Sequence, residues 1–168
     1  MRIMEAPDSI TSPQKGHAMS KRIDMYKNAT EPYNGLLAVN TYLKNCSLPA
    51  ELVELVFLRV SLINGCAFCI DKHSRDLLKS GMSIDKLVLV PVWHEAGKLF
   101  SEREQAALAW SEVVTRIEQT AAPDADYQAV TQHFDAREFS ELTIAIALMN
   151  AMNRMAISGR MAPQAAKP

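Results

Sequence analysis

The chain reads as all-α: a compact helical bundle whose central helix hairpin carries a Cys-x-x-Cys pair, with no significant β-sheet. Three observations lead there. No stretch reads convincingly as a strand, prolines and a Ser–Glu pair mark helix starts, and the run from Leu142 to Met152 is apolar nearly all round, as in a helix buried in the centre of a bundle or at a subunit contact.

Residues 1–20 mix Pro, Ser, Gly and Lys without periodicity and are expected to form a flexible leader; residues 21–160 form the domain, and 161–168 a flexible tail. The first main helix is expected from Pro32 to about Lys44, because proline is welcome at the first helical position, where its missing N–H costs nothing. Pro49 opens the second in the same way, and Asn64-Gly65 breaks it. The third holds the cysteines and ends at Gly81. Ser83 and Asp85 start a short helix through Val90 that Pro91 halts. Ser101 with Glu104 forms a capping box ahead of a helix from about Glu102 to Ile117. Pro123-Asp124 opens another toward His133, and a long helix runs from about Arg137 to Ser158.

With 168 residues, 48% of them hydrophobic, and a formal net charge of −1, the chain can build one core and has no basic bias toward nucleic acid or an anionic membrane. The N-terminal stretch lacks the apolar segment of a signal peptide, and the apolar run Leu142 to Met149 is far shorter than the roughly 20 residues that span a bilayer. A cytoplasmic protein with no nucleic-acid or membrane partner is expected. In that reducing setting its three cysteines argue for a catalytic or metal role of the close pair, not a disulfide framework.

Cys66, Cys69 and His73 fall three and then four residues apart, the spacing that brings side chains onto one helical face about 5 to 6 Å from one another. A Cys66–Cys69 bridge is therefore feasible without unwinding the helix. His73 lies roughly 10 Å along the axis from Cys66, so only Cys69 is within its direct reach. The glycine break places both sulfurs in the first turn, where unpaired N–H groups favour a thiolate. That dipole contributes only about 0.3 to 1 kcal/mol, whereas bringing a thiol from a pKa of about 8.5 to below 7 needs roughly 2 kcal/mol, so an imidazole must supply the rest if Cys69 is the nucleophile. Glu54 sits inside a nearly continuous apolar block of the preceding helix, where an unpaired carboxylate would be costly; it reads either as a solvated charge beside Glu51 or as the group that orients the ring.

The arrangement of Glu54, Cys66, Cys69 and His73 resembles the active site of the alkylhydroperoxidase AhpD family, within the carboxymuconolactone decarboxylase superfamily. The likeness extends through the stretches Tyr33 to Leu43, Leu55 to Leu77, Phe100 to Thr115 and Leu142 to Ile157, covering about Tyr26 to Ser158. It implies a thiol peroxidase in which Cys69 attacks a hydroperoxide and passes through a sulfenic acid. Cys66 is then the resolving partner and proton donor, and His73 with Glu54 forms the proton relay. An external dithiol or protein reductant would reopen the disulfide, and a homo-oligomer, trimer or hexamer, would be the working unit. No metal, flavin or nucleotide cofactor is implied. The sequence departs from the family at Phe68, where better-studied members carry a second histidine between the cysteines. Two other readings stand beside the peroxidase: protein dithiol–disulfide exchange or redox sensing, and a structural zinc site of Cys66, Cys69, His73 and Glu54, which the helical spacing opposes.

The remaining conspicuous residues read as structural. Cys46 is a small buried hydrophobe; His17 and His133 are solvated; His94, beside Trp93, is a surface residue or borders a pocket. Phe57, Phe68, Trp93 and Trp110 are core or pocket-wall candidates. Asn150, Asn153 and Arg154 interrupt the apolar helix as polar residues bonding neighbouring helix ends or as part of an interface.

Overall fold

The computed structural model of the protein describes residues 22–166, which leaves the expected leader and His17 outside the described residues. Among the described residues nine α-helices follow in order: α1 Met25–Asn28, α2 Thr30–Leu43, α3 Ala50–Asn64, α4 Ala67–Lys79, α5 Ile84–Leu89, α6 Glu102–Thr115, α7 Ile117–Thr120, α8 Asp124–Thr131 and α9 Ala136–Gly159, with short 3₁₀ segments between α5 and α6 and at Gln164–Ala166. Among the described residues there is no strand.

Each boundary follows from local chemistry. α2 begins two residues before the expected Pro32, which instead occupies its third position, still within the first turn whose N–H groups lack partners. Pro49 and Pro123 stand one residue earlier than expected, as N-caps of α3 and α8. Ser101 and Glu104 close the expected capping box, and Asp135 with Glu138 closes a second one on α9 that was not anticipated. α6 stops at Thr115, ahead of the expected Ile117, because Arg116 leaves helical geometry at φ −106°, ψ 36°. Gly65 ends α3 in the left-handed conformation at φ 69°, where a side chain would be strained, and this turn swings the chain back into α4.

α3 lies at the centre, packed against α4, α6 and α9. Its face from Leu55 to Val60 is buried throughout. α9 packs on α2, α3, α4, α6 and α8, yet Ile144 stays 45% exposed and Ala147 is exposed too, so the apolar run is buried on its inner side and not all round. Phe57, Trp93 and Trp110 are core residues, and Cys46 packs at the core's edge. In the segment expected as a tail, the Gln164 and Ala165 N–H groups donate to Asp71 on α4 at 2.7 and 3.2 Å.

Candidate dithiol site

The α3–α4 turn builds the site. Cys66 N–H still donates to the Ser61 carbonyl of α3 at 3.0 Å, while its side chain serves as the N-cap of α4, its sulfur accepting the Cys69 N–H at 3.4 Å. Cys66 is therefore at the mouth of the helix and not within it, and Cys69 is the third residue of the first turn. Both cysteines are free thiols and both are buried, Cys66 1% and Cys69 4% exposed, in a cluster with Ala156 of α9 that Phe68 packs against.

Two thiols this close share their protons. The Cys69 S–H donates to the Cys66 sulfur, and this bond, outweighing burial and helped by backbone N–H groups and Asn153, holds the Cys66 thiol down to about 7. The same bond, together with burial and the neighbouring charge on Cys66, pushes Cys69 up, against weaker opposing influences from Asn153 and Lys72. On ionising, the two thiols therefore share one negative charge, with the remaining proton held between them.

The second pair lies one turn further on. His73 is buried beside the Phe57 ring, and its Nδ1 is 2.7 Å from Glu54 Oε2. The structure thus brings Glu54 to the imidazole and not to a solvated stripe. A neutral ring donating from Nδ1 to that carboxylate leaves Nε2 as an acceptor. Among the described residues no hydrogen bond joins His73 to either sulfur, so the four residues form two hydrogen-bonded pairs.

Further groups frame the site without any motif to announce them. Asp76 lies within 4.8 Å of the donor atoms of Glu54 and His73, and this trio is the metal-compatible cluster among the described residues. It contains neither sulfur, so the four zinc ligands weighed from the sequence do not converge. Burial raises the Asp76 carboxyl, but the hydrogen bond from Lys72 and the charges of Lys72, His73 and Lys79 outweigh it and hold it low. Tyr33 of α2 has its hydroxyl pushed up by burial and then by negative charge on Cys69 and Asp24. The same tyrosine walls an apolar groove of about 310 Å³ with Ile23, Met25, Pro32, Leu36 and Met155. Met155 of that groove is followed in α9 by Ala156, which packs with the two cysteines. Asp76 was findable as the i+3 neighbour of His73; Tyr33 reaches the site only through the packing of α2, which leaves no trace in local spacing.

His94 stacks on Trp93 at 3.7 Å and its Nε2 is 3.9 Å from Glu112, while the exposed ring stays far from the thiol chemistry. Glu112 instead serves the core, accepting from buried Arg59 at 2.8 Å and from the Trp93 indole at 2.7 Å.

Comparison with known proteins agrees with this architecture. The model of the carboxymuconolactone decarboxylase family matches residues 30–113. The uncharacterized protein YdfG of Bacillus subtilis is 35% identical over 140 residues, 83% of this chain and 95% of its own length. A crystal structure from Agrobacterium tumefaciens, of a protein of unknown function with a suggested AhpD antioxidant-defence role, superposes with a TM-score of 0.82 at 34% identity and covers 86% of this chain and 98% of that one. The debrominase Bmp8 shares the fold at a TM-score of 0.70 and 15% identity, covering 83% of this chain and 74% of its own. The chain belongs to the carboxymuconolactone decarboxylase family, as one of its AhpD-like helical members.

Proposed function

We propose that the protein is an enzyme of dithiol chemistry, a thiol peroxidase that reduces hydroperoxides through Cys69 and Cys66. The observation that carries this reading is the meeting of two free, buried thiols at a helix mouth, with the His73–Glu54 pair one turn behind. In the first step Cys69 passes its proton to the Cys66 thiolate and attacks the outer peroxide oxygen, which cleaves the O–O bond. This leaves a Cys69 sulfenic acid, and the alkoxide or hydroxide departs as an alcohol or water with the proton that Cys66 lost on ionising, taken up and returned by His73. Cys66 then attacks the sulfenic sulfur, forming the disulfide and releasing water. The balance is dithiol plus hydroperoxide to disulfide plus alcohol and water. An external dithiol donor restores the pair.

The burial of both sulfurs favours a small peroxide over protein disulfide exchange, since a protein partner would have to displace Phe68 and Ala156. Cys69→Ser is expected to abolish hydroperoxide consumption, and Cys66→Ser to leave a Cys69 sulfenic acid that dimedone traps for mass spectrometry. Full turnover by the Cys69→Ser protein overturns the role assignment. A homo-oligomer, trimer or hexamer, belongs to the same reading; Ile84 and Val88 lie four apart on α5 and are exposed, Val88 59%, and offer an apolar face for it. Light scattering on the eluting protein tests this, with Val88→Glu expected to lower the mass.

A further inference from the structure

We propose that Asn153 of α9 belongs to the dithiol centre: its side-chain amide, aimed by Asn64, donates an N–H to whichever of the two sulfurs holds the negative charge. This builds on the dithiol reading of the site and gives it a third group that the Glu54, Cys66, Cys69 and His73 pattern does not contain.

The direction in which the amide points follows from its neighbours. Arg154 Nη1 lies 2.9 Å from Asn150 Oδ1, and a guanidinium can only donate, so that atom is an oxygen. The other end of the Asn150 amide donates to the Ile146 carbonyl at 3.0 Å, which fixes the same orientation independently. The Asn64 group 3.0 Å from Asn150 Oδ1 must therefore be its NH₂, and its second hydrogen reaches Asn153 Oδ1 at 2.9 Å. With its oxygen engaged by Asn64, Asn153 turns its NH₂ toward Ser61 and Met149.

One of those two hydrogens goes to Ser61 Oγ at 3.0 Å, which can accept because the Ser61 hydroxyl spends its own proton on the Phe57 carbonyl at 2.7 Å. The other faces Met149 Sδ at 3.3 Å, a weak acceptor; Ser61, which takes the amide on its hydroxyl, takes the Cys66 N–H on its carbonyl at 3.0 Å, so the amide sits beside the dithiol, where it lowers the pKa of both thiols. Asn153 is wholly buried, 0% exposed, in an otherwise apolar stretch of α9, and Ala156 of the same helix packs on the sulfurs. A thiolate is a far better acceptor than a thioether, so the N–H is best used when the pair ionises.

The test is the pH dependence of iodoacetamide alkylation of Cys66 and Cys69, resolved by site with mass spectrometry on the full-length protein; it reads the thiols whether or not peroxide is turned over. Asn153→Leu is expected to raise the alkylation midpoint by about one pH unit, the loss of one hydrogen bond to a charged group. Asn64→Ala, which frees the amide to flip, shifts it the same way by less. Ser61→Ala lowers the melting temperature and leaves the midpoint in place, because it removes the structural partner and spares the one facing sulfur. A midpoint unmoved by Asn153→Leu overturns the proposal, as does one unmoved by Asn64→Ala should the leucine variant not fold, and so does a Ser61→Ala shift equal to that of Asn153→Leu. If the shift appears and hydroperoxide is not consumed, this inference stands and the peroxidase reading falls.

Discussion

Phe68 packs against the two buried thiols, so an apolar ring borders the dithiol. A ring that cannot carry a proton leaves proton movement to the sulfur pair itself and to His73. Phe68→Ala is expected to speed iodoacetamide alkylation at fixed pH by exposing the sulfurs; an unchanged rate would show that Phe68 does not control access. Glu54 is the other residue whose neighbours decide its role. Glu54→Leu strips the buried His73 ring of its partner and is expected to lower stability by about 1 to 3 kcal/mol in urea unfolding, the cost of an unsatisfied buried polar group. A loss within the range of ordinary surface substitutions would return Glu54 to the solvated stripe that the sequence also allowed.

Among elements, the α3–α4 turn carries the most chemistry per residue. Gly65 is left-handed at φ 69° with open space around it, so Gly65→Ala meets no clash and tests backbone strain alone: a loss of about 1 kcal/mol is expected. Ser101→Ala removes a cap far from the thiols and is expected to cost a similar amount, about 1 kcal/mol, without changing thiol reactivity. Alkylation kinetics beside melting curves separate the two. These turns and caps were legible because each is written in a few consecutive residues: Asn64-Gly65, Ser101 to Glu104, Ser83. α1 and the α6–α7 break were not, since no glycine or proline marks Ala29 or Arg116. In the site, Glu54, Cys66, Cys69 and His73 could be read from spacing along two adjoining helices. Asn153 could be seen only as a polar interruption in an apolar helix, because its meaning depends on α9 crossing the α3–α4 turn.

At the scale of the molecule, buried Glu141 ties α9 to the α2–α3 connection. It accepts from the Tyr42 hydroxyl at 2.6 Å, from the Ser47 N–H at 2.9 Å and hydroxyl, and from Arg137 at 3.2 Å. Burial raises its pKa, but these bonds outweigh it and hold the carboxyl at about 2, below its usual 4.5. Because folding depresses this pKa, the stabilisation is complete above pH 4.5 and drains away as the pH falls toward 2. The melting temperature of the native protein should therefore exceed that of Glu141→Gln at pH 7 and converge toward it on acidification through that window; a gap independent of pH would contradict the linkage. No helix among the described residues is long and apolar enough to cross a membrane. The cover over the thiols is supplied by α9, which follows them in the chain by more than two whole helices. During translation the cysteines thus leave the ribosome well before α9 exists, so the sulfurs of a nascent chain stay open to solvent until that helix has been made and docked.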